Sequence, residues 1–395
     1  PGFCGIGGVG GVIQELDWNG NVVWEYKLFE PGKAIQHHTF KRLPNGNTMI
    51  LAWEAKSKKE ALAKGRNPKT IPDKPVKSKK IEHNEFWVDF VREVDRNGKT
   101  VWEWHAWDHI GKGKDKLDIN YTLPEPVGSV YHNFDWSHFN TIDYIPATDT
   151  VVLNSRNLAE FYFINHKTGK IEYRWGNPTA YDPKAKKPGW YDNADQKIFG
   201  PHCPTVLENG NILLFDNGSE RPESRRSAAV EMNPKTGEVV WSYESKHSNS
   251  FNSYRQGAVQ RLPNGNTLIT ATHGGHIFEV TPDKKIVWEY VNPVYAGQAK
   301  CVATENEAFA PSAHLDVMTN FVHRAYRYAP DYPGLKGKDL SKKTSLGDCP
   351  IFYKVWKKGG CGYVEPTAGQ TAKPAKPQTS KEKVEEEEQP TMPGY

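Results

Sequence analysis

The sequence predicts an all-β protein, a β-propeller of four-stranded antiparallel blades closed by strands from the two ends of the chain. Three observations carry this. A phrase recurs, as Leu43-Pro44-Asn45-Gly46-Asn47-Thr48-Met49-Ile50, Leu207-Glu208-Asn209-Gly210-Asn211-Ile212-Leu213-Leu214 and Leu262-Pro263-Asn264-Gly265-Asn266-Thr267-Leu268-Ile269. Each copy is followed by a second pair of short alternating strands, the last holding Trp102, Trp241 or Trp288. The composition, with 12% aromatic residues, 13 Trp, 4 Met and 37% hydrophobic residues, leaves little material for long apolar helices. A four-stranded unit repeated every few tens of residues is how a propeller is written in sequence.

The elements follow in order. Residues 1–11 are a Gly-rich lead, either flexible or an extended strand that docks elsewhere. Val12 to Tyr26 is a half-copy ending in a Trp strand, without its Asn-Gly partner. Asn-Gly at 45–46, 209–210 and 264–265 supplies the positive φ expected of two-residue hairpin turns. Asn19-Gly20, Asn97-Gly98, Thr168-Gly169 and Thr236-Gly237 do the same before the Trp strands. Residues 54–90 interrupt the first module with nine lysines between Lys56 and Lys80, part helix around Glu60-Ala61-Leu62-Ala63 and part loop. A degenerate copy runs from Asn140 to Trp175. Residues 105–137 and 176–201 are long connections, of the kind that wall sites at one face of a disc.

The propeller is expected to span 12–355, with Phe321 to Tyr328 helping to close the ring. Residues 356–395 form an extended tail of Pro, Lys, Thr and Glu, a composition that does not fold by itself. A net charge of +4, from 51 basic and 47 acidic residues, is too balanced for a nucleic-acid binder. No apolar run is long enough to cross a bilayer. The start Pro1-Gly2-Phe3-Cys4, without Met, is that expected of a processed, exported chain, periplasmic or extracellular. Cys4, Cys203, Cys301, Cys349 and Cys361 show no metal-ribbon or haem spacing. One or two disulfides among the four outer cysteines, with Cys203 left over, are expected.

Aligned on the turns, three histidines share a register. His38 lies six residues before Pro44, His202 six before Glu208, and His138 eight before Pro146. All begin a blade's first strand, which lines a propeller's channel, so they converge with His37 and Asn140 on one small volume. Such a cluster can ligate a metal, or one ring can act as nucleophile while others and an arginine stabilise a charged group in transfer. No Asp or Glu recurs in that register, which favours the anion over a metal.

Phe134-Asp135-Trp136-Ser137-His138-Phe139-Asn140, Leu153-Asn154-Ser155-Arg156-Asn157, Gly200-Pro201-His202, Phe215-Asp216-Asn217-Gly218 and Arg324-Ala325-Tyr326-Arg327-Tyr328 stand in an order that resembles the arylsulfate sulfotransferase family over about residues 9–330. The resemblance implies six blades, export, and transfer of a sulfuryl group from an aryl sulfate to a phenol through a sulfated histidine, without a dissociable cofactor. It matches His138 and His202 to two channel histidines. The family's channel arginine falls near Arg225 and Arg226, slightly displaced. The position of the sulfated histidine falls on Gly257, so His38, His247, His273 or His276 is left to take that role. Arg156, Arg255, His37, Asn140 and His273 are the expected substrate contacts, and no metal is expected. Two other readings stay open: a non-catalytic propeller that self-associates through its terminal segments, and a metal site on His38, His138 and His202.

Overall fold

The computed structural model describes residues 7–70, 76–78, 81–83, 85–121, 135–219, 221–222, 226–245, 250–292, 320–339 and 341. The chain divides into two compact units, Pro1–Gln298 with Ala303–Lys342, and Ala299–Val302 with Lys343–Tyr395, and the described residues belong to the first. The expected disulfides and the tail proposed for self-association lie outside the described residues. Cys203 is a free, buried thiol.

The N-terminal half-copy is a hairpin of β1 (Val12–Leu16) and β2 (Val22–Lys27). Sheet A follows, with β3 (Phe29–Glu30), β4 (Ala34–Arg42), β5 (Thr48–Ser57), β8 (Glu85–Val94) and β9 (Thr100–His105) side by side. A separate hairpin of β6 (Val76–Ser78) and β7 (Ile81–His83) stands inside the Lys-rich insertion. Sheet B is β10 (Phe139–Ile145), β11 (Thr150–Ser155), β12 (Glu160–Asn165) and β13 (Ile171–Trp175). Sheet C is β14 (His202–Val206), β15 (Ile212–Asp216), β16 (Ala228–Asn233) and β17 (Glu238–Glu244). Sheet D is β18 (Ala258–Arg261), β19 (Thr267–Ala271), β20 (His276–Val280) and β21 (Ile286–Val291). The protein is an all-β propeller. Its described residues hold four complete sheets and the outer hairpin of a further blade, and a count of six is not reached among them.

Two expectations change in detail. The Asn-Gly loops are three residues long: Leu43 N donates to Asn47 O (2.8 Å) and Gly46 N to Leu43 O (3.0 Å), and the copies at 207–211 and 262–266 repeat this. Only the glycine takes positive φ, 88° at Gly46, 81° at Gly210 and 85° at Gly265. Residues 44, 208 and 263 thus start a type I turn, for which proline at 44 and 263 is preset, and the glycine closes it as a bulge. The insertion is also narrower than expected. β5 and β8 stay paired out to Ser57 and Glu85, because the apolar strands continue past the point where lysines begin. Helix α1 (Lys58–Ala63) starts directly at Ser57, whose side chain and that of Glu60 cap each other's backbone.

The recurring spelling of the Trp strand has a mechanical reason. Trp24 Nε1 donates to Arg96 O (3.0 Å), Trp104 to Gly169 O (2.9 Å), Trp175 to Gly237 O (2.9 Å) and Trp241 to Pro282 O (2.9 Å). Each acceptor lies in the last hairpin turn of the next sheet. The donors at 104 and 175 stand two places beyond the position of 24 and 241, and so on the same strand face. These bonds order the blades as hairpin, A, B, C, D.

A second repeat marks the inner strands. Arg42 stacks on Trp24 and pairs with Glu15, Arg261 stacks on Trp241 and pairs with Glu231, and Arg327 stacks on Trp288 and pairs with Glu279. Each arginine reaches back to the preceding blade. Arg327 therefore occupies the place of an inner-strand arginine, and residues 320–328 lie against sheet D as the next blade's innermost segment. Gln260 and Arg327 exchange hydrogen bonds, and Ala325 N donates to Thr270 Oγ1 (3.3 Å). Between sheets the core is close-packed, with Met49, Leu51, Val91, Phe139, Val151 and Leu153 at no exposure between A and B. Among the described residues no helix is long and apolar enough to cross a membrane.

Candidate functional site

Every inner strand of A, B and C is bulged at or beside its histidine. Pairing slips between Gln36 and Phe40 in β4, between Phe139 and Thr141 in β10, and between His202 and Thr205 in β14. His38, His138 and Cys203 take φ of 50°, 42° and 56° at these bulges. A bulge puts an extra residue on one strand and turns it, so a side chain is re-aimed out of the ladder. Here the effect is to turn imidazoles together.

His37 and His38 face each other through their Nδ1 atoms at 2.8 Å. His37 stacks on Trp53 at 3.8 Å between ring centres, and His38 meets His138 edge-on at 4.7 Å. His37 Nε2 is 3.1 Å from Asp89 Oδ1, close enough for charge attraction though misaligned for a hydrogen bond. Asp89 also accepts from Ser137 Oγ and from Phe139 N (3.0 Å), which fastens the bulge of sheet B to sheet A. His138 Nδ1 bonds the carboxylate of buried Asp135. Burial holds His38 well below the usual imidazole range, and the neighbouring His138, His37, His202 and His323 push the same way.

His202 is the best-defined ring. Its Nδ1 faces Asn217 Oδ1 (2.7 Å) and Gly200 O (3.1 Å). Asn217 cannot be turned over, because its amide nitrogen already donates to Ser253 O (2.6 Å) and Gln256 O (2.5 Å). Two acceptors at Nδ1 require the proton there, so Nε2 carries the lone pair. Burial pushes this imidazole down to about 3, against the Asn217 bond and with help from Arg156 and His138. It is neutral at physiological pH. Asn140 Nδ2 and Asn154 Nδ2 both donate to Pro201 O (2.9 and 2.7 Å), so Asn140 props the backbone beside His202.

The family model for arylsulfotransferases matches residues 6–305. The chain belongs to that family. It is 23% identical over 318 residues to arylsulfate sulfotransferase AssT of Escherichia coli O6:H1, covering 67% of this chain and 50% of the relative. The chain thus spans about half the length of the curated relative it matches. Among solved structures it is similar to a protein of unknown function from Bacteroides caccae (12% identity, TM-score 0.42, 70% of this chain and 74% of that one). It is also similar to virginiamycin B lyase from Staphylococcus aureus (13%, 0.36, 72% and 64%) and to BamB from Moraxella catarrhalis (10%, 0.26, 71% and 82%).

In this member of the family the sequence-derived residues part into groups. His37, His38 and His138 are in mutual contact, while His202 and Arg156 stand close enough to influence one another electrostatically. Arg156 is buried, with Nη1 on Asn157 Oδ1 (3.0 Å). Arg226 pairs with Glu244 of the outermost strand of sheet C, and Arg225 and His247 lie outside the described residues. Arg255 is exposed and neighbours His273, which meets Phe321 edge-on at 4.8 Å. His276 pairs with Glu289 on the outer strand of sheet D. Among the described residues no group of three or more His, Cys, Asp or Glu side chains is arranged to hold a metal ion.

Gly257 is closed to a histidine by packing. A Cβ there would stand 2.6 Å from the Phe215 ring, and φ is 131°. The residue that sequence reasoning passed over is His323. It lies four before Arg327, as His38 lies four before Arg42 and Gly257 four before Arg261, and its charge is felt by His38. The Arg-Trp-Glu repeat is the signal that finds it. The described part of the lead, residues 7–11, reaches this ring: His38 N donates to Gly8 O (2.7 Å), and a Cβ on Gly8 would lie 2.2 Å from the His38 ring. Glycine lets the lead lie flat on that imidazole.

Proposed function

We propose that the protein transfers a sulfuryl group from an aryl sulfate to a phenol, with His202 as the nucleophile. The observation that carries this is the locked Asn217, which fixes the His202 proton on Nδ1, so that the ring, kept neutral by its burial, presents the Nε2 lone pair. Nε2 attacks sulfur, the S–O bond to the aryl group breaks, and phenolate leaves. The ring becomes cationic, and Asn217 Oδ1 and Gly200 O at Nδ1–H stabilise that charge. The acceptor phenol then attacks sulfur, the N–S bond breaks, the acceptor's proton passes to solvent, and the imidazole returns to its starting form. His138, with Asp135 as countercharge, and the Arg156 guanidinium are the donors assigned to the sulfuryl oxygens. No cofactor enters the scheme. Export to the periplasm or the exterior belongs to the same reading.

The test is incubation with 4-nitrophenyl sulfate, with and without phenol, followed by intact mass and site mapping. Nitrophenolate release with one sulfuryl group on His202 is expected. Folded protein that releases none and gains no mass overturns the proposal.

A pH dependence follows. The folded His202 imidazole is depressed to about 3 while the unfolded one titrates near 6.5, as an ordinary imidazole does. Below 6.5 the unfolded chain therefore binds a proton that the folded chain does not. Stability is expected to be fully present above about pH 6.5 and to fall as pH drops from there toward 3. Denaturant unfolding of the wild type and His202→Gln between pH 7 and 4 checks it: the wild type should lose more stability, and parallel curves would refute the assignment.

A further inference from the structure

Directly beneath the histidines the channel opens into a cavity of about 700 Å³. Thr39, Cys203 and Arg324, which line it, each follow a histidine of the register, namely His38, His202 and His323. The cavity is therefore the next layer of the same channel. Its size suits a small aromatic molecule, and Ile142, Val206 and Val259 supply apolar walls.

The charges in its lining are unequal. Lys41 is held by Asp143 (2.5 Å) and Arg261 by Glu231 (2.7 Å). Glu208 stands at the solvent end. Arg324 donates to Tyr326 Oη (2.9 Å), and among the described residues no carboxylate lies within ion-pair distance of it. Its Nε is buried without a partner. A guanidinium with an unspent donor edge in an apolar-walled cavity is a receptor for an oxyanion.

We propose that this cavity binds the acceptor, and that Arg324 selects phenols carrying a carboxylate. The phenolic hydroxyl points up to the histidine layer and the carboxylate down to Arg324. This rests on the sulfotransferase reading for the acceptor role, but binding itself does not need turnover.

Titration calorimetry of the full chain with 4-hydroxybenzoate and with phenol is the test, beside the acceptor kcat/KM for the same pair. The wild type is expected to favour 4-hydroxybenzoate by about tenfold or more in both, as for a site whose buried donor is otherwise unpaired. Arg324→Gln should bring the two ligands level, and Arg324→Lys should restore part of the preference. Equal binding of the two by the wild type overturns the proposal, as does a preference that survives Arg324→Gln. A wild type that prefers 4-hydroxybenzoate in calorimetry but forms no sulfated enzyme would support this site while removing the catalytic reading above it.

Discussion

Replacing His202 with alanine is expected to remove the sulfated intermediate and to lower nitrophenolate release by about a thousandfold or more, the scale on which loss of a covalent nucleophile is felt. The effect is chemical, since the side chain is neutral in the folded protein and contributes no ion pair. Asn217→Leu should leave the imidazole present but free its tautomer. A smaller loss, about ten- to a hundredfold, is expected there, because only part of the population then presents Nε2 unprotonated. Single-turnover release and peptide mapping read both variants, with unfolding curves as the control. Should His202→Ala still gain a sulfuryl group, the mapped residue names the true nucleophile. His138 is the strongest rival, because Asp135 would stabilise a cation on its ring. His323, which completes the register at the next blade, follows.

Gly257→Ala is expected to destabilise the protein by about 2–6 kcal/mol. Two costs combine. A non-glycine residue held at φ of 131° carries backbone strain of about 1–3 kcal/mol. The new Cβ also drives into the Phe215 ring, and overpacking a close-packed core costs about 1–3 kcal/mol. Phe215 has no room to retreat: it has no exposure, and Phe251 meets it edge-on at 5.7 Å. Urea unfolding measures the loss. Combining the change with Phe215→Leu should relieve the steric share and leave the backbone share, so the double variant should fall short of the sum of the singles. A loss below about 1 kcal/mol for Gly257→Ala would mean the ring yields easily. Gly257→His would then become a fair attempt to rebuild the family's position.

The strand and turn pattern was legible in the sequence because it is local. Alternation over five or six residues, Asn-Gly punctuation and a Trp strand at fixed spacing express what a short segment prefers wherever it stands. The same locality made the registers of His38, His138 and His202 readable, since each is counted from its own turn. It also limited the reading. Turn length depends on which backbone groups meet across the hairpin, and the loop proved one residue longer than the dipeptide suggested. Glycines in the lead could be counted, yet only contact with the His38 ring explains Gly8.

The features that carry the chemistry are set by residues far apart in the chain. Asn217 is turned by Ser253 and Gln256, so the tautomer of His202 is decided in the connection between sheets C and D, 36 and 39 residues beyond Asn217. Arg226, near in sequence to the expected anion site, is drawn outward by Glu244 instead. His323 enters the register only because Arg327 reaches back to Glu279 and Trp288 of the preceding blade. The sequence by itself thus determined the repeated unit and which side chains begin each inner strand. Tertiary structure decided where those side chains point and which proton His202 keeps, because bulges, capping amides and contacts between blades exist only once the blades stand side by side.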